Sequence, residues 1–337
     1  MKYLVVFVMS LGVAACSSTQ SSSVMPGQPA AQLNAARRPL ATGDFLGCPY
    51  PSGDVWQTDI TNSPLSPASA KNIKATIDGG GNSPFAAGVI RTGPNNTTNQ
   101  YVNMANNSTP MVAVRPKVKY HTPKSPEPWV FTPPFYIEPM ANAHAMVLQT
   151  AACQYYETYS TTAKPKTHRL LAYSGAFVDL TQPFSRPAWG GCSTPACIPL
   201  GLLAVRPEEL AAGAITHALG WDAVARSVSK TACVSPAAVA LCTDNLKYAG
   251  PRAEAVNAMP AGAHIRLRKS FDISGFHPEA KIVAAALQQY GAYLFGTGEQ
   301  SLIPFVNDVK GAPVWDANDD SDLHSISIDD FEVVQAP

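Results

Sequence analysis

The sequence predicts a β-rich α+β fold. Short runs of alternating apolar and polar residues recur along the chain, as expected of strands with one buried face. The 30 prolines and 23 glycines break it into many turns. Two segments carry helical apolar spacing, but no regular strand–helix–strand alternation joins them, which argues against a doubly wound sheet.

The first strand candidate is 111–120, where Val112, Val114 and Val118 alternate with polar or small residues. Segments 144–148 and 154–159 form an expected hairpin around Cys153, and 169–173 and 176–180 give two more strands. In 264–268, Ile265 and Leu267 point inward; 293–295 and 331–334 complete the set. One helix is expected over 207–219, because Pro207 suits the first helical position, Glu208 and Glu209 the positive end of the dipole, and Gly220 the stop. A second is expected over 278–290, with Glu279 early, Gly291 as the stop, and Ile282, Val283, Ala286, Leu287 and Tyr290 on one face. The asparagine-rich stretches 95–99 and 106–108 read as loops, and there is no internal repeat.

Ahead of this domain lies an address. Lys2 precedes an apolar run over 3–15 that is too short to span a bilayer, which needs about 20 apolar residues. A charged start, a short apolar centre and small residues at the end form a secretory signal. Its last four residues, Val13-Ala14-Ala15-Cys16, resemble a lipobox, which implies diacylglycerol on the Cys16 thiol and cleavage before that residue. Ser17 stands where an inner-membrane retention signal would have Asp, so resemblance to sorted lipoproteins implies the outer membrane. Several acyl chains make a stable anchor, at about 0.8 kcal/mol per buried CH₂. The reading is therefore a signal peptide over 1–15, a lipidated tether over 16–41 and one exported domain over 42–337. A tether of that length and composition spans on the order of 30 Å.

Charged residues make up 14% of the chain, against about 25% in ordinary globular proteins, and the formal net charge is zero. With no basic stripe, nucleic acid is not an expected partner. Of seven cysteines, the lipid takes Cys16 and leaves an even six for an oxidising compartment. Cys192 and Cys197 bracket a tight turn, and Cys233 and Cys242 a short loop, so both pairs are expected to bridge locally. That leaves Cys48 for Cys153. Paired CxxC or His spacing for zinc is missing.

A longer likeness covers about 56–334. Its words include Thr58-Asp59-Ile60, His144-Ala145-Met146-Val147, Tyr156-Glu157 and Ser174-Gly175-Ala176-Phe177-Val178-Asp179-Leu180. Further on come Arg186-Pro187-Ala188-Trp189, Gly213-Ala214-Ile215-Thr216-His217-Ala218-Leu219, Tyr290-Gly291-Ala292-Tyr293, Trp315-Asp316 and Asp330-Phe331-Glu332-Val333-Val334. In these the chain resembles an uncharacterised family of secreted bacterial and fungal proteins. The resemblance implies a β-sandwich or jelly-roll-like domain, expected here to be antiparallel with two packed helices, and implies no activity. The chain departs from it at Gln149, where relatives tend to carry Asp, and in its extra cysteines.

Three residues are candidates for catalysis. His144 and Glu157 lie on the two strands of the expected hairpin, and on one face they would form an acid/base pair of the kind that cleaves polysaccharides. The alternative is a hydrogen-bonded pair that stabilises the sheet. His217 falls on the inward face of the first expected helix, either as a catalytic imidazole or as a core histidine donating to a backbone carbonyl. Asp179 ends a strand, where it would cap a turn. Asp316, Asn318, Asp320 and Asp322 lie in an acidic segment with the first three at EF-hand ligand spacing, so calcium is the one cofactor the sequence admits; a solvated turn is the alternative. Tyr155, Tyr156, Trp189, Tyr290 and Trp315 are candidates either for a sugar-stacking surface or for core. Motifs for an esterase elbow, a zinc protease, a phosphate loop and a dinucleotide site are absent from the sequence. Three functions are expected to compete: a binding protein for envelope glycan or a partner protein, a polysaccharide-cleaving enzyme, and an accessory of envelope assembly or secretion.

Overall fold

The computed structural model describes residues 44–50, 55–81, 101–109, 111–116, 129–130, 136–138, 143–164, 169–183, 189–237, 257–298 and 317–335. The signal peptide, Cys16 and the tether lie outside them, as do Val118, Cys242, Trp315 and Asp316.

The hairpin around Cys153 forms as expected. Gln154–Tyr159 runs antiparallel to Ala145–Gln149, with Leu148 opposite Tyr155 and Met146 opposite Glu157. Ser174–Asp179 pairs with its outer side, then Trp189–Gly191, while Val102–Ala105 adds a parallel strand on the other edge. Both faces of this five-stranded sheet are buried, which follows from the apolar residues on each parity. Met146, Leu148, Tyr155 and Val178 join the main core with Phe45, Trp56, Leu203 and Trp221. Ala145, Val147, Tyr156 and Phe177 pack on the opposite side against Val114, Leu170 and Ala172. Those last residues belong to a second sheet, in which Met111–Pro116 lies between Trp129–Val130 and Arg169–Ala172, with Thr162–Lys164 at the edge. Sheet on sheet makes the molecule sandwich-like and β-rich, with a few short helices.

A third sheet orders Leu219–Val224, Ala292–Gly298, His264–Leu267 and Phe331–Val333. Helix Pro278–Gln289 packs against it and buries Val283, Ala284 and Leu287 completely. A fully buried side chain of Val or Leu size contributes about 1.5–3 kcal/mol. The helix ends at Gly291, whose φ of 70° is left-handed and whose missing Cβ leaves room for the Ile265 carbonyl.

Four expectations need correction. The sheets are mixed rather than antiparallel, with four parallel pairings among the described residues. Alternation reports which face is buried and is blind to strand direction. The first expected helix covers only Pro207–Ala212: Gly213, at φ 78°, closes it seven residues before Gly220, which instead pairs with Tyr293 in the third sheet. Two further helices occur. Ser69–Thr76 buries Ser69, Asn72 and Thr76 beside one large apolar residue, Ile73, so it has no apolar stripe to read. Ala317–His324 replaces the expected acidic loop.

Cys48 bonds Cys153 and Cys192 bonds Cys197. Cys233 is also disulfide-bonded.

Candidate functional site

Three buried polar centres among the described residues hold or adjoin the candidate residues. The first is Glu157, fully buried on the central strand of the large sheet. Its Oε2 accepts from the Tyr155 hydroxyl at 2.5 Å and the Gly201 amide at 3.0 Å, and Oε1 from the Leu200 amide at 3.1 Å. The two amides open the short 3₁₀ turn Gly201–Leu203, so a carboxylate caps a turn from inside the core. Gly201 is required there, since a Cβ would overlap the Tyr155 hydroxyl. Burial, then the neighbouring Glu157 charge, pushes the Tyr155 hydroxyl well above its ordinary pKa, so it stays a donor.

The second is a pair. His144 Nδ1 lies 2.9 Å from Glu138 Oε2, and the same oxygen accepts from the His144 amide at 3.1 Å. Glu138 returns its own amide to the His144 carbonyl at 2.8 Å. Both side chains are buried. Burial works against a charged ring, but Glu138 outweighs it, helped by the Glu157 charge and a bond to the Ser193 backbone, and holds the His144 pKa above its ordinary value.

The third surrounds Arg206, which is wholly buried. Its Nε meets Glu208 at 3.1 Å, NH2 meets Glu209 Oε1 at 2.5 Å, and NH1 donates to the Tyr50 hydroxyl at 3.3 Å. His217 Nε2 lies 2.8 Å from Glu209 Oε1 and 3.2 Å from Arg206 NH1, while Nδ1 donates to the Ala218 carbonyl at 2.8 Å. Tyr50 stacks on the His217 ring at 5.3 Å and donates its hydroxyl to the Leu202 carbonyl. Burial disfavours the Glu209 carboxylate, yet Arg206 and His217 more than compensate and lower its pKa. The same burial opposes the Arg206 charge, and Glu209, Tyr50 and Glu208 overcome it.

His144 and Glu157 therefore share the core-facing side of one sheet, since Glu157 stands opposite Met146, two residues from His144. They do not form the expected acid/base pair: each has its own hydrogen-bond partners, and Glu138 is the carboxylate on His144. His217 joins neither. It sits past the end of its helix, on the segment leading into Leu219–Val224, and donates to a backbone carbonyl as a core histidine does. Asp179 caps its turn by accepting from the Thr181 amide and hydroxyl at 2.9 and 2.6 Å. Gln149, buried, accepts from the Ala152 amide and donates to Asn107.

Calcium spacing over Asp316, Asn318, Asp320 and Asp322 presupposed a loop. Asn318, Asp320 and Asp322 instead lie on helical backbone, where positions two apart fall on opposite sides. Asp322 accepts from the His277 amide at 2.5 Å and meets its Nδ1 at 2.7 Å, at the start of the preceding helix Pro278–Gln289. Among the described residues no group of three acidic, His or Cys side chains is placed to hold a metal ion. Tyr155 and Tyr156 are core residues and offer no surface to a sugar.

No family model, curated protein or solved structure matches the chain.

Sequence reasoning missed Glu138, Tyr50, Arg206 and Glu209. One signal was present. Arg206 stands directly before the Pro207 that opens a helix, a position that favours Ser, Thr, Asp or Asn. An arginine there needed another reason, and the buried cluster supplies it.

Proposed function

We propose that this chain is an envelope lipoprotein, anchored to the outer membrane through Cys16, whose exported domain binds envelope glycan or a partner protein. The observation that carries the reading is the pairing of domain cysteines, Cys48 with Cys153 and Cys192 with Cys197, behind a lipobox-like Val13-Ala14-Ala15-Cys16. Disulfides persist in oxidising compartments, where an exported domain would fold. Binding is favoured over cleavage by the state of the candidate carboxylate. Glycoside cleavage needs a carboxyl group that meets the scissile bond, and both Glu157 oxygens are taken by donors inside the core. An accessory role in assembly or secretion is the same reading with a protein as the bound partner.

The test is metabolic labelling with a palmitate analogue in cells expressing the full chain. Wild type is expected to carry label and to sediment with outer membranes, and Cys16→Ser to lose both. Label retained in Cys16→Ser, or a wild-type chain recovered without lipid, overturns the anchor. Crosslinking in intact cells then asks for the partner.

A further inference from the structure

The loop closed by the Cys192–Cys197 bond carries a serine hydroxyl that is buried without a hydrogen-bond partner, on Ser193. Such a group costs free energy, and a native fold keeps one for a reason. The course of the loop shows what Ser193 faces. The Cys192 amide donates to the Gly175 carbonyl at 2.8 Å, on the strand next to Trp189–Gly191. The chain then passes beneath the core-facing side of the large sheet: the Leu200 and Gly201 amides reach Glu157, and a Cβ on Gly201 would come within 2.9 Å of the Met146 sulfur. His144 projects from that same side, two residues before Met146. There its ring bonds the Ser193 backbone, and because the bond favours the charged ring, the carbonyl is the group that accepts. The loop is held firmly. Besides the disulfide, the Thr194 hydroxyl donates to the Ile198 carbonyl at 2.6 Å and accepts from the Ile198 amide at 3.1 Å.

We propose that Ser193, His144 and Glu138 act as nucleophile, base and positioning residue in the hydrolysis of a small carboxylic ester. This activity goes beyond envelope binding and does not rest on it. Glu138 Oε2 lies 2.9 Å from His144 Nδ1 and also holds the His144 amide at 3.1 Å, so it fixes the ring and keeps the proton of the neutral imidazole on Nδ1. Nε2 then carries a lone pair and can no longer donate to the Ser193 carbonyl. One rotation about the Ser193 Cα–Cβ bond turns the Oγ–H of the same residue towards it. Hydrogen bonds of this kind tighten when substrate binds. Oγ attacks the ester carbonyl carbon as its proton passes to Nε2. The bond to the alcohol oxygen breaks, and the alcohol leaves with that proton. Water then attacks the acyl-serine, gives a proton to Nε2, and the carboxylic acid departs as Ser193 regains its hydrogen. The surroundings select the acyl group. Ser193 is 3% exposed and His144 7%, which admits an acyl chain of few carbons, and the Glu138–His144 charges compensate each other, which favours an uncharged one.

The test uses the full chain in detergent micelles with two probes, p-nitrophenyl acetate and an alkyl fluorophosphonate that reacts with activated serine hydroxyls. Wild type is expected to hydrolyse the acetate and to carry one phosphonate adduct, mapped to Ser193 by peptide mass spectrometry. Ser193→Ala should lose both; it removes a hydroxyl that bonds nothing and so should fold. His144→Gln should slow hydrolysis by roughly 100-fold or more. Glu138→Gln tests positioning through the pH profile. Glu138 and Glu157 both raise the His144 pKa, and the Tyr159 ring packs 5.5 Å from the imidazole. Losing the Glu138 charge should therefore move the rise in rate to lower pH, and an unmoved profile overturns the role of Glu138. The adduct on wild type needs no variant to fold. Its absence from Ser193 in folded protein, or hydrolysis that survives Ser193→Ala, overturns the proposal. Faster hydrolysis of p-nitrophenyl decanoate than of the acetate overturns the small acyl group. None of these outcomes touches the lipid anchor, which the palmitate label tests separately.

Discussion

Arg206 shows how a charge is tolerated in a core. Its guanidinium reaches Glu208, Glu209, Tyr50 and the Asp44 carbonyl, and lies 5.1 Å over the Phe45 ring. Removing one partner of such a cluster leaves the others buried and uncompensated. Arg206→Ala should therefore cost about 3–5 kcal/mol in urea denaturation, and a cost below about 1 kcal/mol would show that Glu209 finds another counter-ion. Arg206→Lys should also be costly, because one ammonium cannot replace the fork of donors. His264 gives the opposite case. Its Nε2 donates to the Tyr290 carbonyl at 2.7 Å, the ring stacks on Tyr293 at 3.9 Å, and Nδ1 is buried with no partner. Burial, with Arg266 nearby, lowers its pKa to about 4, from the 6.5 of an ordinary imidazole. The folded state thus binds this proton less readily than the unfolded chain. The His264 contribution is full above pH 6.5 and is lost as pH falls from there to about 4, a loss of roughly 3 kcal/mol. Denaturation of wild type and His264→Gln across that range checks it: the variant should lose less stability on acidification, and parallel curves would refute the assignment.

Elements differ in how far their boundaries could be read. Helix Pro278–Gln289 was legible because its Pro, its early Glu279, its stripe and its stop agree. Helix Pro207–Ala212 was legible at its start and not at its end, since Gly213 and Gly220 are equally good stops on paper and only pairing with Ala292–Gly298 takes Gly220 into a sheet. The hairpin at Cys153 was legible from its alternation, and its pinning to Cys48 from cysteine spacing. That bond joins residues separated by 105 positions, so it should restrict the unfolded chain considerably. The double variant Cys48→Ala/Cys153→Ala is expected to lose about 2–5 kcal/mol, measured by thermal unfolding against wild type under non-reducing conditions. An unchanged midpoint would mean that the hairpin and the 44–49 segment are held by packing alone.

At the scale of the whole molecule, the sequence by itself determined what depends on local pattern: the strand-rich class, the starts of helices Pro207–Ala212 and Pro278–Gln289, the inward side chains Ile265 and Leu267, and the bonds Cys48–Cys153 and Cys192–Cys197. The proposed address at Cys16 rests on a short motif and on no fold. Tertiary structure decided everything that depends on distant segments meeting. Strand direction is one such property, because Val102–Ala105 and Leu219–Val224 become parallel strands only through their partners. The polar centres are another. Glu138 reaches His144 across a six-residue separation, Leu200 and Gly201 reach Glu157 from more than forty residues away, and Tyr50 reaches Arg206 from 156. Alternation gives the parity of a side chain and says nothing of which backbone amide or arginine will face it.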